Sequence, residues 1–334
     1  MRSLSNLFRR DDGSEPAESP IVCRPPQQDE INIALRMILS ADGHRPTDEQ
    51  VVDFLRYIVA RGVDLSDLKL AEQNGRVQWA VLPVVSPGKT MLLFGSTDRT
   101  REHEARCAGR AINETCAAFA RRDVHLAQVL IEPGNQPARH LYHQAGFTDL
   151  AELQYLQCDV RSNLPPLQMP LGFSWETYSP VTHGVFSRTI LQTYESSLDC
   201  PVLSGMRNIE DVIASHKASG EFDPSQWFLL YEKTTPMAVL LLASVPRTDA
   251  MELVYLGLTP AARGRGLGAL VLRKALRTTL DAKIPRLTLA VDAANTPALK
   301  LYYRHGMEKL GSKLAMIRDL RPLVPRTPKA SITA

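Results

Sequence analysis

The sequence predicts an α/β protein built as two copies of one unit, each a mixed, partly antiparallel sheet flanked by helices. Three observations carry this. Apolar runs of strand length alternate with amphipathic stretches of helical period. In each half a group of strands precedes a helix–strand–helix–strand series, an order that lays helices against a partly antiparallel sheet. Finally, Asn295 to Met307 (NTPALKLYYRHGM) repeats Asn135 to Phe147 (NQPARHLYHQAGF) at a spacing of 160 without a gap. Asn, Pro, Ala, Leu, Tyr and Gly are identical at six of the thirteen positions, which implies an internal duplication.

At 334 residues the chain has room for two domains of about 150 residues each. Residues 1–28 are polar and rich in Pro, Ser and Glu, which predicts a mobile N-terminal segment. Helical periodicity covers Ile31 to Ser40 and Glu49 to Arg61, the second entered through Pro46-Thr47-Asp48 as a cap. Strands are predicted at Leu68 to Glu72, Val77 to Val85 and Thr90 to Phe94, divided by the turn pairs Asn74-Gly75 and Pro87-Gly88. Ala105 to Arg122 reads as a helix, Val124 to Ile131 as a strand, Gln136 to Gln144 as a helix and Leu153 to Val160 as a closing strand. This first unit, 29–160, is followed by a proline-bearing linker, 161–170.

The second unit, 171–320, repeats the order. Phe173 to Thr177 is a strand, and Val181 to Tyr194 and Ile209 to Ser219 are helices. Trp227 to Glu232, Met237 to Val245 and Met251 to Leu258 are strands. Gly266 to Leu280 is a helix with Leu272, Ala275, Leu276 and Leu280 on one face. Arg286 to Val291, Pro297 to His305 and Leu310 to Ile317 complete the series, before a tail at 321–334.

Composition sets limits on function. A net charge of +3 is too weak a field for nucleic acid to be an expected partner. No run approaches the ~18 apolar residues of a membrane span, and the N-terminus lacks the apolar stretch of a secretory signal, so a cytoplasmic location is expected. Cys23, Cys107, Cys116, Cys158 and Cys200 are scattered, never spaced as C-x-x-C, and read as reduced thiols. They offer neither a metal site nor a nucleophile beside a His.

The segment that carries chemistry is MELVYLGLTPAARGRGLGALVLRKAL, Met251 to Leu276. It passes from a strand through Thr259-Pro260 and a short Arg/Gly loop into a helix. Glycines at such a turn let the backbone approach a ligand, and a helix N-terminus offers unpaired N–H groups and partial positive charge to a phosphate. A Walker loop is excluded because no Lys-Ser or Lys-Thr follows the glycines. A dinucleotide fingerprint fails on spacing, since the glycines fall at 264, 266 and 268. An RNA-binding Arg-Gly patch is disfavoured by the amphipathic helix that follows.

On these residues the segment resembles the pyrophosphate-binding motif of the GNAT superfamily of N-acetyltransferases. Arg263, Gly266 and Gly268 fill its fixed positions. Asn295, Ala298, Tyr302 and Gly306 resemble the second signature of that superfamily, which usually ends in Gly-Phe and here ends in Gly306-Met307. The two-copy layout is similar to that of the mycothiol synthases and other tandem GNAT proteins. The resemblance implies acetyl-CoA or a related acyl-CoA as co-substrate, no metal, and direct transfer to the amine of a small molecule or peptide. It implies main-chain contacts from Leu256, Gly257 and Leu258, an N–H among them polarising the acyl carbonyl. It implies a phosphate cradle from Arg263, Gly264, Arg265, Gly266, Leu267, Gly268 and Ala269, with Tyr302 as acid for the leaving thiol.

Asn295 would bond the pantetheine arm or hold its own turn. Glu252, early on the strand, is the candidate general base, against the alternative of a solvated charge at the strand edge. Tyr303 points elsewhere on the helix, and His305 reads as a helix-end residue complementing the dipole. Subtracting 160 lays Arg263 to Gly268 over His103, Glu104, Ala105, Arg106, Cys107 and Ala108, where no glycine remains. Glu252 falls on Leu92 and Tyr302 on Tyr142. The first unit is thus expected to bind no phosphate, to support the second or help to form an acceptor cleft, and to use Tyr142 structurally. Two rivals stand beside this reading: a non-catalytic acyl-CoA sensor or scaffold, and a structural interaction protein.

Overall fold

The computed structural model describes residues 19–40, 44–60, 62–96, 102–160 and 164–324. The first half runs β1 (Val22–Arg24), α1 (Glu30–Leu39), α2 (Asp48–Ala60), β2 (Lys69–Gln73), β3 (Arg76–Ser86), β4 (Thr90–Gly95), α3 (Glu102–Ala120), β5 (Leu126–Ile131), α4 (Gln136–Gln144) and β6 (Thr148–Asp159). The second half runs β7 (Phe173–Thr177), α5 (His183–Tyr194), α6 (Ile209–Lys217), β8 (Trp227–Glu232), β9 (Thr235–Val245), β10 (Ala250–Leu258), α7 (Leu267–Asp281), β11 (Arg286–Asp292), α8 (Thr296–Arg304) and β12 (Glu308–Asp319). The two series are identical in order, as a duplication requires.

The residues shared by the repeat are those that start, pack and stop a helix. Asn135 and Asn295 each cap their helix by accepting from the N–H three residues on, Ala138 and Ala298. Pro137 and Pro297 sit in the first turn, where a missing N–H costs nothing. Gly146 and Gly306 end the helices with φ of 79° and 81°. Tyr142 and Tyr302 are buried.

Among the described residues, twelve strands join one sheet, in the order β1-β2-β3-β4-β5-β12-β6-β11-β10-β9-β8-β7. The last strand of each half therefore lies inside the other. β12 pairs antiparallel with β5 as well as with β6, and β6 pairs antiparallel with β11. This exchange explains why β6 begins at Thr148, ahead of the expected Leu153: its first residues, Asp149 and Thr148, pair with Met316 and Ile317, 167 and 169 positions away in sequence. Such pairing leaves no local periodicity. Val22–Arg24 also differs from expectation, since part of the segment predicted to be mobile pairs with β2, and Arg24 bonds Glu30 and Glu72. The rest of that segment up to residue 18, linker residues 161–163 and tail residues 325–334 lie outside the described residues.

Among the described residues, four apolar cores fill the layers. α3 and α4 cover one face of the first half, and α7 and α8 cover the corresponding face of the second. α1 and α2, and likewise α5 and α6, cover the opposite face. Leu314 of the first-half core stands directly across from Glu152, which lies on the same face of β6 as Leu156 of the second-half core. Alternation along paired strands thus puts α3, α4, α7 and α8 on one side of the sheet. Between the helix pairs of the other side, Tyr155, Thr288, Ala290 and Glu252 share the central sheet surface. No helix among the described residues is long and apolar enough to cross a membrane.

Candidate functional site

The site begins where two parallel strands part. β10 and β11 pair only through Ala250–Arg286, Met251–Leu287 and Glu252–Thr288, although both continue beyond. A register shift against β9 between Leu253 and Tyr255 bends β10 at the same point. The backbone of Leu253–Leu258 therefore faces an opening instead of a neighbour. A cavity of about 570 Å³ occupies it, walled by β10, the start of α7, the end of β11, α8 and the loop after α5.

Leu256, Gly257, Leu258, Arg263, Gly266, Gly268, Ala269, Asn295 and Tyr302 all line this cavity. The predicted cradle residues Gly264, Arg265 and Leu267 do not, and Leu267 is buried in the core beneath α7. Gly266 is the N-terminal cap of α7 with φ of 75°, a conformation costly for other residues, and a Cβ there would meet nothing within 4 Å. The turn is thus open beside the first N–H groups of α7, and a helix N-terminus of this kind favours an anion.

The arginines of the motif have other partners. Arg263 donates to the carbonyls of Thr193 (2.9 Å), Glu195 (2.7 Å) and Ser196 (3.3 Å), closing the C-terminal end of α5. Arg265 makes a two-pronged pair with Glu232 at 2.8 and 2.9 Å. Lys300 and Arg304 of α8, which the motif reading missed, line the cavity and have no ion-pair partner among the described residues. Their signal was their i, i+4 spacing, which sets two basic side chains on one face of α8, and not the glycine loop.

Tyr302 is 6% exposed, and burial with the nearby charge of Asp199 pushes its phenol pKa up, so it stays protonated at neutral pH. Asp199 itself lines the cavity, accepts the Asp292 N–H at 3.2 Å, and is shifted upward by burial. Asp292 in turn accepts the Cys200 N–H at 3.1 Å, which stitches the loop after α5 to the end of β11. Burial raises the Cys200 thiol to about 12, so it is no thiolate at neutral pH. Glu252 is absent from the cavity wall; it lies one residue before that wall, inside the sheet between Ala243 and Thr288, and its charge helps to raise the Tyr155 phenol. Tyr303 is half exposed and donates to Gln154 at 2.9 Å. His305 Nδ1 bonds the Leu301 carbonyl at 2.8 Å, the helix-end role expected of it.

Gly257 is small for a second reason. A Cβ there would lie 2.6 Å from Thr193 Oγ1 and 2.7 Å from the Tyr255 hydroxyl, two groups hydrogen-bonded to each other at 2.6 Å. The first half shows the opposite outcome at its own opening. β4 and β5 also pair through only three positions, but the Trp79 ring and the Tyr142 hydroxyl press on Gly95 at that end. Residues 104–108, the counterparts of the Arg/Gly loop, are already helix in α3.

Residues 191–307, which include the opened parallel pair, the glycine-capped helix and the buried tyrosine that face this cavity, match the Acetyltransferase (GNAT) family. Residues 191–307 thus carry a GNAT acetyltransferase domain, and this match together with the relatives below supports an N-acetyltransferase enzyme. The chain is 27% identical over 300 residues to a mycothiol acetyltransferase of Jonesia denitrificans, covering 84% of this chain and 89% of that one. It is 27% identical over 286 residues to the mycothiol acetyltransferase of Streptomyces coelicolor, covering 84% and 88%. The crystal structure of a GCN5-related N-acetyltransferase from Sphaerobacter thermophilus superposes with a TM-score of 0.60 at 19% identity, over 92% of this chain and 98% of that one, and so shares the fold.

Proposed function

We propose that the chain moves the acetyl group of acetyl-CoA directly to the amine of a small molecule, using only the cavity of residues 171–320. The observation that carries this is the divergence of β10 from β11 beside the open glycine turn of α7. The pantetheine arm lies along Leu256–Leu258, with its pyrophosphate over Gly266, Gly268 and Ala269 and its charge met by Lys300 and Arg304. A backbone N–H of the bent strand receives the acyl oxygen as it becomes an oxyanion. The acceptor arrives over the central sheet surface, where Glu252 takes the proton released by the attacking amine, directly or through water. As the carbon–sulfur bond breaks, Tyr302 gives its proton to the thiolate. The unit 29–160 supports this site and forms one side of the acceptor surface.

Because relatives that span most of the chain are mycothiol acetyltransferases, an acceptor of the mycothiol type is the first to test. Titration of acetyl-CoA by calorimetry, with Gly266→Asp alongside, tests the cofactor assignment. One site per chain, lost in the variant, is expected. Equal affinity in the two proteins would refute the cradle.

A further inference from the structure

The two halves touch through a clasp that ends on the acyl-binding strand. The turn between β3 and β4 enters the second half and docks on α6. Ser215 Oγ donates to the Pro87 carbonyl at 2.8 Å, and Arg207 Nη2 donates to the Gly88 carbonyl at 3.2 Å. The same Arg207 nitrogen reaches the Asp211 carbonyl at 3.0 Å and Ser215 Oγ at 2.5 Å. The fit leaves no room for a side chain at 88, since a Cβ there would press on Asp211 O, Ser215 Oγ and Arg207.

The next residue of α6, His216, faces inward and stacks on Tyr255, with ring centroids 5.5 Å apart and planes 26° from parallel. Its Nε2 is buried and finds no hydrogen-bond partner among the described residues. Burial and the charge of Arg207 lower its pKa to about 4, so the stacked ring is neutral. Tyr255 stands at the bend of β10 and lines the cavity. Its hydroxyl is tied to Thr193 at 2.6 Å, and both groups rest on Gly257. Contacts therefore run without a break from Pro87-Gly88 of the first half, through Arg207, Ser215 and His216, to Tyr255 and Gly257.

We propose that Arg207, Ser215 and His216 are positioning residues, through which the first half holds the bend of β10 at the angle that aims a backbone N–H at the acyl carbonyl. This rests on the assignment of acetyl-CoA to the cavity beside β10. The role suits a unit whose own opening is filled by Trp79 and Tyr142. The phosphate cradle lies on α7, across the sheet from α6, so loosening the clasp disturbs carbonyl alignment more than cofactor affinity. A displacement of about 1 Å at a reacting group is enough to cost up to ~100-fold in rate.

The test is the 13C resonance of [1-13C]acetyl-CoA bound to the full chain, measured beside its Kd. Wild type is expected to move the carbonyl signal downfield on binding, as a donor polarises the C=O bond. Arg207→Met and Ser215→Ala are expected to lose much of that displacement while Kd stays within about threefold, a change of ~0.7 kcal/mol. His216→Phe keeps a flat ring on Tyr255 and is expected to retain the displacement, whereas His216→Ala loses it. Ser215→Ala removes one hydroxyl and serves if Arg207→Met unfolds, which thermal melting would reveal. A full displacement in Ser215→Ala and Arg207→Met overturns the proposal, as does a wild-type complex with no displacement. Failure of wild type to bind acetyl-CoA would instead overturn the cofactor assignment.

Discussion

Gly257→Ala tests the wall of the site most directly. The added Cβ would sit 2.6 Å from Thr193 Oγ1, 2.7 Å from the Tyr255 hydroxyl and 2.8 Å from Thr193 Cβ. Each is well inside the about 3.5 Å at which such atoms rest. Neither neighbour can rotate away freely: Thr193 is buried in α5 with its hydroxyl bonded to Ile190 O at 2.6 Å, and Tyr255 is held by His216 and Tyr194. The bulge must shift or the Thr193–Tyr255 bond must break. Overpacking of this kind costs about 1–3 kcal/mol and the lost bond about 1 kcal/mol, so unfolding free energy should fall by about 2–4 kcal/mol. In a thermal melt of a chain this long that is a drop of roughly 3–6 °C. Acetyl transfer should fall with it, because the same backbone lines the cavity in which the proposed binding mode places the thioester. Thr193→Ala removes the nearest atom, so in the double variant the cost of Gly257→Ala should shrink by about 1 kcal/mol. A Gly257→Ala protein that melts within about 1 °C of wild type and keeps its turnover would refute the close approach described here.

Further outcomes follow from the same geometry. Tyr302→Phe should lower turnover by ~10-fold or more and leave acetyl-CoA affinity nearly unchanged, as stopped-flow turnover and calorimetry would show; equal turnover would make the hydroxyl structural. Arg263→Ala should lower stability by about 2 kcal/mol, because it uncaps the last carbonyls of α5, with a smaller effect on acetyl-CoA binding; the reverse pattern in melts and titrations would make it a phosphate ligand. His216 titrates near pH 4 in the fold and near 6.5 when unfolded, so the unfolded chain binds more protons between those values and stability falls as pH drops through that window. From pH 7 to pH 5 the loss from this residue is about 2 kcal/mol, to be read from urea unfolding against His216→Gln, in which it should be absent.

Several parts of this protein were legible one residue at a time. The repeat at 160 residues was visible because its shared Asn, Pro, Tyr and Gly each do local work, capping, starting, packing and ending a helix. The glycine turn at 264–268 announced itself because only glycine supplies positive φ at little cost, and the loss of those glycines in the first half was equally plain. Gly257 was singled out on the strand, though not for the threonine and tyrosine that press on it.

What the sequence could not decide depends on long-range pairing and on which partner a charge finds. The exchange of β6 and β12 joins segments over 150 residues apart, and either strand has the same alternation wherever it pairs. Arg263 and Arg265 looked like phosphate ligands because a guanidinium suits phosphate, carbonyl and carboxylate alike. Only the tertiary fold brought the end of α5 and Glu232 within their reach, and set Lys300 and Arg304 at the cavity. Likewise Arg207 and His216 carry no motif. Their place beside Gly88 and Tyr255 exists only once the two halves have closed on each other, because burial and contact are properties of the packed chain and not of any segment within it.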